Sequence, residues 1–165
     1  MTTTQTDLET AFKAAFREHP AGVALITANT VEGPVGLTAS SVASVAVDPA
    51  TLVFSVTRST GSAGLILGAD TILVHLLDAR HQAIAQEYAV SGGERFTDEQ
   101  NWSELPTGEP HLGDVRVALR CRIVNKIAVG SSMLAVAEVL SAHTNESGAP
   151  MIYLDRAFHL TGDAI

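Results

Sequence analysis

The chain has 165 residues, of which 46% are hydrophobic and 17% are charged. This length predicts one domain over residues 1–165, and the composition excludes a disordered protein. The formal net charge of −8 argues against nucleic acid or an anionic membrane as a partner, because phosphate groups would be repelled on average. So large an apolar fraction in a short chain also predicts an oligomer.

Two absences in the sequence indicate the compartment. Cys121 is the only cysteine, so neither an internal disulfide nor a two-cysteine redox centre can form. Residues 1–6 lack the basic and apolar regions of a signal peptide, and no apolar run is long enough to cross a membrane. We therefore expect a cytoplasmic protein.

The first predicted element is a helix over about residues 7–18. Thr6-Asp7-Leu8-Glu9 fits a capping box, and apolar residues follow at helical spacing. After Pro20 the pattern changes to short β-rich runs bounded by turn residues. Strands are predicted over residues 22–28, 35–39, 41–47, 52–57 and 71–77.

The second half of the chain adds two short helices and long β runs. Ser62 and Asp78 are candidate caps of helices over residues 62–67 and 78–89. Residues 90–113 are rich in glycine, proline and acidic residues and predict a long irregular excursion. The remaining β structure is predicted over residues 115–129, 133–143 and 151–160, with a turn at Gly130-Ser131. About seven strands and two or three helices indicate a mainly β antiparallel barrel with peripheral helices.

Several common catalytic signatures are missing. No Gly-x-Gly pair occurs, which excludes the dinucleotide fingerprint, and no serine lies in a Gly-x-Ser-x-Gly elbow. The six histidines include no pair four residues apart and no acidic neighbour at metal spacing, so we predict no metal site. Any nicotinamide coenzyme would have to bind without a Rossmann fold.

The stretch from Gly36 to Val45 carries the strongest functional signal. It places small residues between strand-like runs, and Thr38, Ser40 and Ser41 offer hydroxyl groups there. A backbone of this kind can approach a flat ligand closely, which predicts a binding edge. The alternative is a half-exposed strand with ordinary β-compatible hydroxyl residues.

Motifs along almost the whole chain, from Phe12 to Leu160, resemble the flavin reductase family. The motifs are the Gly36–Val45 stretch and, in family order, Phe16-Arg17, Pro20-Ala21-Gly22-Val23, Asp48-Pro49 and Tyr153-Leu154-Asp155-Arg156-Ala157-Phe158. The resemblance implies an FMN-binding split β-barrel, a Greek-key antiparallel barrel that forms a homodimer. It also implies reduction of FMN or FAD by NADH or NADPH, with the reduced flavin passing to a partner monooxygenase.

The same resemblance implies a set of flavin-binding residues. Thr38, Ala39, Ser40 and Ser41 would contact the isoalloxazine edge and the ribityl chain, near Pro20. Thr57, Arg58 and Ser59, with Ser62, would lie near the phosphate, which suits a cation and hydroxyls at a helix start. Arg95-Phe96 resembles a basic and aromatic pair near the flavin, or else is a loop anchored by one buried phenylalanine.

One position departs from the family pattern. Gly130-Ser131-Ser132 aligns with a segment that usually reads Gly-Asp-His, where the histidine helps to place the nicotinamide. Ser132 carries no positive charge and covers less ring surface. Two alternatives to a flavin reductase therefore stay open: an FMN-dependent oxidoreductase with tightly bound flavin and another hydride donor or acceptor, and a non-catalytic flavin-binding protein.

Overall fold

The computed structural model describes residues 4–146 and 148–162. Its helices are α1 Gln5–Arg17, α2 Gly61–Gly68 and α3 Gln82–Ala89. Its strands are β1 Ala21–Gly22, β2 Ala24–Thr30, β3 Gly33–Ala39, β4 Ala43–Val47, β5 Ala50–Val56, β6 Ile72–Leu76, β7 Trp102–Glu104, β8 Pro110–Leu112, β9 Val117–Val129, β10 Ser132–Thr144, β11 Met151–Leu154 and β12 Ala157–Leu160. The predicted mainly β, antiparallel class with peripheral helices is confirmed.

Seven strands form one antiparallel sheet in the order β3-β2-β6-β9-β10-β5-β4. Its two edge strands, β3 and β4, are joined by residues 40–42 alone. A flat sheet of seven strands would separate its edges by about 29 Å, whereas this link reaches at most about 14 Å. The sheet therefore curls until its edges nearly meet. No ladder pairs β3 with β4 among the described residues, and the split-barrel form stays a prediction.

Strand β2 separates two apolar clusters. Alternate residues Ile26 and Ala28 face the interior of the curled sheet, where Phe54 and Ile66 pack, while Leu25 faces the opposite side. There Tyr88 of α3 and Leu112 of β8 cover the sheet. Burial of both faces explains why all of residues 24–28 are buried, whereas a strand with one exposed face would alternate; the hydroxyl of Thr27, the polar member, donates to the carbonyl oxygen of Pro110 (2.8 Å).

A fully buried histidine, His75, fastens the second cluster to the sheet. Its Nδ1 lies 3.0 Å from the carbonyl oxygen of Leu25, and its Nε2 accepts a hydrogen bond of 3.2 Å from the backbone N–H of Leu112. Burial lowers the pKa of His75 to about 3, so the ring stays neutral and links three segments of the chain.

A buried carboxylate, that of Glu109, fastens the C-terminal part of the excursion over residues 90–113. Glu109 is 2% exposed and accepts hydrogen bonds from Thr71 (2.5 Å), Thr107 and Arg120 Nε (2.6 Å). Burial tends to raise the pKa of Glu109, but these donors outweigh burial and hold the pKa below its ordinary value. The carboxylate therefore stays ionised and paired with Arg120 of β9.

Helix α1 begins two residues before its predicted start. The predicted cap at Thr6 is wrong: Thr4 is the N-cap, with Asp7 as its reciprocal partner. Both spacings occur in the sequence, and only Thr4 has the extended backbone that a cap requires. No residue of α1 is buried, and its apolar face is open. None of the helices in the described ranges is long and apolar enough to span a membrane.

Several other predicted elements differ from the observed ones, and the predicted irregular excursion over residues 90–113 contains a 3₁₀ turn at residues 98–100 and a hairpin of β7 and β8. Thr60, not Ser62, is the N-cap of α2, and its side chain makes no capping hydrogen bond. Asp78 caps a turn of 3₁₀ helix at residues 79–81, after which α3 begins. The run over residues 151–160 is a hairpin, β11 and β12, folded at Asp155-Arg156.

Candidate functional site

A groove of about 830 Å³ opens beside the link between the two sheet edges. It is bordered by the end of α1, the link residues Ser40 and Ser41, and the tip of the β11–β12 hairpin. A second groove of about 600 Å³ lies on the other side of the link and shares Ser40, Tyr153 and Arg156 with the first. These volumes are typical of small-molecule and cofactor sites.

Two of the predicted site hydroxyls anchor the link and the end of β3 that precedes it. Ser41 Oγ donates to the carbonyl oxygen of Ser55 (3.0 Å) and accepts from its N–H (2.9 Å), which joins the link to β5. Thr38 Oγ1 donates to the carbonyl oxygen of Ala85 (2.7 Å), which joins β3 to α3. These hydroxyls thus fix the backbone, while Ser40 is exposed and its hydroxyl makes no hydrogen bond among the described residues. Ala39, between them, is buried.

The first groove has an open floor where the chain runs from Pro20 into β1. Pro20, Ala21 and Gly22 all line it. A Cβ atom added at Gly22 would have no heavy atom within 4 Å. The groove is therefore open at this glycine.

The predicted phosphate segment directly follows the end of β5 that carries Ser55. Thr57, Arg58 and Ser59 are exposed between β5 and α2 and do not line either groove. Met133 pairs with Val56, so the next step of this register puts Ser132 beside Thr57. The structure thus places Ser132 beside the predicted phosphate segment. The hydrogen bonds of Ser41 with Ser55 attach the link to the same strand, β5.

Arg95 and Phe96 anchor the irregular excursion. Arg95 donates to Ser62 Oγ (2.8 Å) and to the carbonyl oxygens of Gly36 (3.1 Å) and Val90 (2.8 Å). Phe96 packs against Tyr88 and Trp102, with ring centroids 5.4 and 4.8 Å away. These contacts agree with the alternative interpretation of Arg95-Phe96 as the anchor of a loop. The hydroxyl of Ser62 is already hydrogen-bonded to Arg95.

The comparisons with known proteins agree with this fold. Residues 16–162 match the model of the flavin reductase like domain. The NADH:FMN oxidoreductase of Rhodococcus erythropolis is 34% identical over 152 residues, which cover 90% of this chain and 79% of that protein. The chain belongs to the flavin reductase family.

Two solved structures of flavin reductases have the same fold. A flavin reductase domain protein from Arthrobacter sp. FB24 matches with a TM-score of 0.88 and 33% identity, covering 95% of this chain and 98% of that one. The styrene monooxygenase flavin reductase of Pseudomonas putida S12 matches with a TM-score of 0.83 and 21% identity, covering 93% of this chain and 99% of that one, and supports the fold alone.

In this flavin reductase family member, the groove is basic although the protein is acidic. Lys13, Arg17 and Arg156 line it, three of only ten lysines and arginines in the sequence. Asp155 is the single carboxylate in the lining and forms an ion pair with Arg17. A cluster of cations in a concave site attracts anions even when the net charge is negative. An anionic ligand such as a flavin phosphate or a dinucleotide fits this groove.

Sequence reasoning missed the cations of the groove. Lys13 and Arg17 lie one helical turn apart on α1, and Arg156 enters from the far end of the chain. The only signal was that Arg17 and Arg156 lie inside two motifs that carry the family resemblance. Within the ranges that the structure describes, no three histidine, cysteine, aspartate or glutamate side chains gather as they would around a metal ion.

Proposed function

We propose that the chain is an NAD(P)H-dependent flavin reductase, one domain over residues 1–165 that binds FMN, or FAD, in the groove beside the link. The observation that carries this proposal is the basic groove, one side of which is formed by the link of small residues that Ser41 attaches to β5. The relative from Rhodococcus, named an NADH:FMN oxidoreductase, supports FMN as the flavin and NADH as the donor.

Bound flavin supplies hydride-transfer chemistry that no protein side chain can supply. The protein's part is to bind, orient and provide electrostatics. Ser41 and Thr38 hold the link in place, so its backbone would contact the ligand without reorganisation. The open space at Gly22 admits a ring, and the cations around it favour the negative charge that flavin reduction creates.

An anaerobic mixing experiment tests the proposal. Purified protein is mixed with NADH or NADPH and an excess of FMN, and the absorbance of oxidised flavin is followed. Continuous bleaching of the whole flavin pool is the expected result. Bleaching that stops at one equivalent per protein would favour the tightly bound FMN oxidoreductase, a second candidate supported by the serine at position 132. No bleaching would favour a non-catalytic flavin-binding protein.

The first prediction concerns Arg58. Arg58 is exposed beside the start of α2, where an arginine and free N–H groups suit a phosphate. Arg58→Ala should weaken FMN binding about tenfold and leave riboflavin, which has no phosphate, within about twofold, because a charge-assisted contact is lost. Fluorescence titration with both flavins measures this. Equal losses for both would remove Arg58 from the phosphate site.

The second prediction concerns Ser132. If nicotinamide binds as in relatives with a histidine here, Ser132→His adds a stacking or cationic contact worth about 1 kcal/mol. The Michaelis constant for NADH should then fall about fivefold, with FMN affinity unchanged. Thr144→His, at the other end of β10, is the matched control and should change neither value. An unaltered constant in a folded, flavin-loaded Ser132→His variant would show that position 132 does not face nicotinamide.

The third prediction is a homodimer. The apolar face of α1, with Leu8, Phe12 and Phe16, is 56–60% exposed, and Val45 and Val47 lie exposed on edge strand β4. So many exposed large apolar side chains on one subunit support an interface that covers some of them. Light scattering at micromolar concentration should give twice the mass of the chain. A stable monomer with flavin bound would contradict the prediction.

The physiological role follows from the same proposal. A reductase with an open groove releases reduced flavin, and the styrene monooxygenase flavin reductase, which has this fold, is named for such a partner. We therefore infer a flavin-dependent monooxygenase as the partner that consumes the product. The single buried cysteine suits the reducing cytoplasm, which we propose as the compartment.

A further inference from the structure

The tip of the β11–β12 hairpin has an unusual backbone. Leu154 pairs with Ala157, so Asp155 and Arg156 form a two-residue loop, and both have positive φ angles, +48° and +64°. This is the geometry of a type I′ turn, whose second position strongly favours glycine. An arginine there costs conformational energy that glycine would avoid.

The turn is fixed in place by the end of α1. The N–H of Asp155 donates to the carbonyl oxygen of Arg17 (2.9 Å), and the Asp155 carboxylate pairs with Arg17 Nε. These two contacts explain why Asp155 and Arg17 lie together. They do not involve Arg156, whose guanidinium makes no ion pair or hydrogen bond in the part of the chain described.

Arg156 lies where the two grooves meet. It lines both of them, together with Ser40 and Tyr153. Ser40 is the residue of the link whose hydroxyl has no partner among the described residues. An unpaired cation and a free hydroxyl thus face the same space, beside Lys13. Charge-assisted and hydroxyl donors of this kind suit phosphate oxygens.

We propose that Arg156 is an anion-binding residue that receives a phosphate group in this groove: that of the pyridine nucleotide if Arg58 holds the flavin phosphate, and that of the flavin if Arg58 does not. The strained turn is then explained, because only this position at the tip projects a side chain into both grooves. The inference rests on the proposed function for the identity of the ligand, since flavin nucleotides and pyridine nucleotides both carry phosphate. The shared chemistry is recognition of a phosphate ester.

The test uses Arg156→Gly and Arg156→Lys in the full chain. Arg156→Gly removes the cation and relieves the turn, so its melting temperature should equal or exceed that of the wild type. Arg156→Lys keeps a cation. The matched control is Arg122→Gln, which removes an exposed arginine paired with Glu138 on the sheet.

Two pairs of ligands identify the source of the phosphate. Dissociation constants are measured for FMN and riboflavin, and Michaelis constants for NADH and reduced nicotinamide riboside. In Arg156→Gly we expect about a tenfold loss for the phosphorylated member of one pair and less than about a twofold loss for its partner. The affected pair names the ligand. Arg156→Lys should lose less, and Arg122→Gln should lose nothing.

Inorganic pyrophosphate separates this inference from the proposed function. If the wild type reduces no flavin, the proposed function fails, yet tighter pyrophosphate binding by wild type than by Arg156→Gly in calorimetry would still support the anion site. Equal losses within both ligand pairs would overturn the inference. So would a folded Arg156→Gly variant with unchanged constants, or a wild type that binds none of these anions.

Discussion

Replacement of Gly22 by phenylalanine is expected to abolish flavin binding and leave the fold intact. Gly22 lines the groove, and a Cβ atom there meets no protein atom within 4 Å, so we expect the new ring to enter the space assigned to the ligand. Phenylalanine is also well tolerated in strands. We expect FMN affinity to fall at least about 100-fold, since the flavin and the new ring would compete for the same space. Fluorescence titration and circular dichroism measure the two effects.

Gly68→Phe is the matched control for this experiment. Gly68 also has open space where a Cβ would lie, but it ends α2 beside a different cavity. Its substitution should leave FMN affinity within about twofold. Normal FMN binding by a folded Gly22→Phe variant would mean that the flavin lies elsewhere, and the assignment of the groove would be wrong.

Replacement of Glu109 by alanine should have the largest effect on stability. It leaves Arg120, 21% exposed, without its carboxylate and leaves two threonine hydroxyls without their acceptor. Removal of one partner of a buried ion pair typically costs about 3–5 kcal/mol of unfolding free energy. Urea denaturation followed by circular dichroism measures this loss.

The exposed Glu138–Arg122 pair provides the comparison. Glu138 and Arg122 side chains are 34% and 57% exposed, so Glu138→Ala should cost at most about 1 kcal/mol. Similar losses for Glu109→Ala and Glu138→Ala would show that burial does not raise the importance of the Glu109 network. The Glu109→Ala variant with Arg120→Met should recover part of the loss, because the unpaired cation is then absent.

Local patterns were sufficient to predict the long strands. Residues 117–129 and 132–144 form β9 and β10 close to their predicted bounds, because the β-rich runs flank a clear turn at Gly130-Ser131. The positive φ of Gly130 is the conformation that this turn requires. Propensity and tertiary structure agree here.

The hairpin at residues 151–160 could not be predicted in the same way. Its turn consists of Asp155 and Arg156, neither of which is the glycine that a positive φ usually signals. The contact with Arg17, 138 residues away in sequence, is one that local patterns cannot reveal. The cap of α1 failed for a different reason, since Thr4 and Thr6 both precede an acidic residue at the right spacing.

The sequence predicted the backbone segment that borders the groove, but it did not predict the charged side chains that line the groove. The link with Ser40 and Ser41 lies at the edge of the groove, as the small hydroxyl residues indicated. Family resemblance led to Arg95, whose guanidinium contacts Gly36, Ser62 and Val90, and its role toward flavin stays a prediction. The cations that do line the groove come from α1 and from the last hairpin, and only the fold brings them together.

Because of the link at residues 40–42, a ligand bound in the groove can affect how easily the two edges of the curled sheet separate. Because no ladder joins β3 to β4 among the residues that the structure describes, the two edges can separate without breaking hydrogen bonds between these strands, with the Ser41–Ser55 contact as the local restraint. A ligand seated across the link would bridge the seam and oppose that separation. Amide hydrogen exchange in β3 and β4 should therefore slow when the groove fills, while exchange in the central strands stays the same.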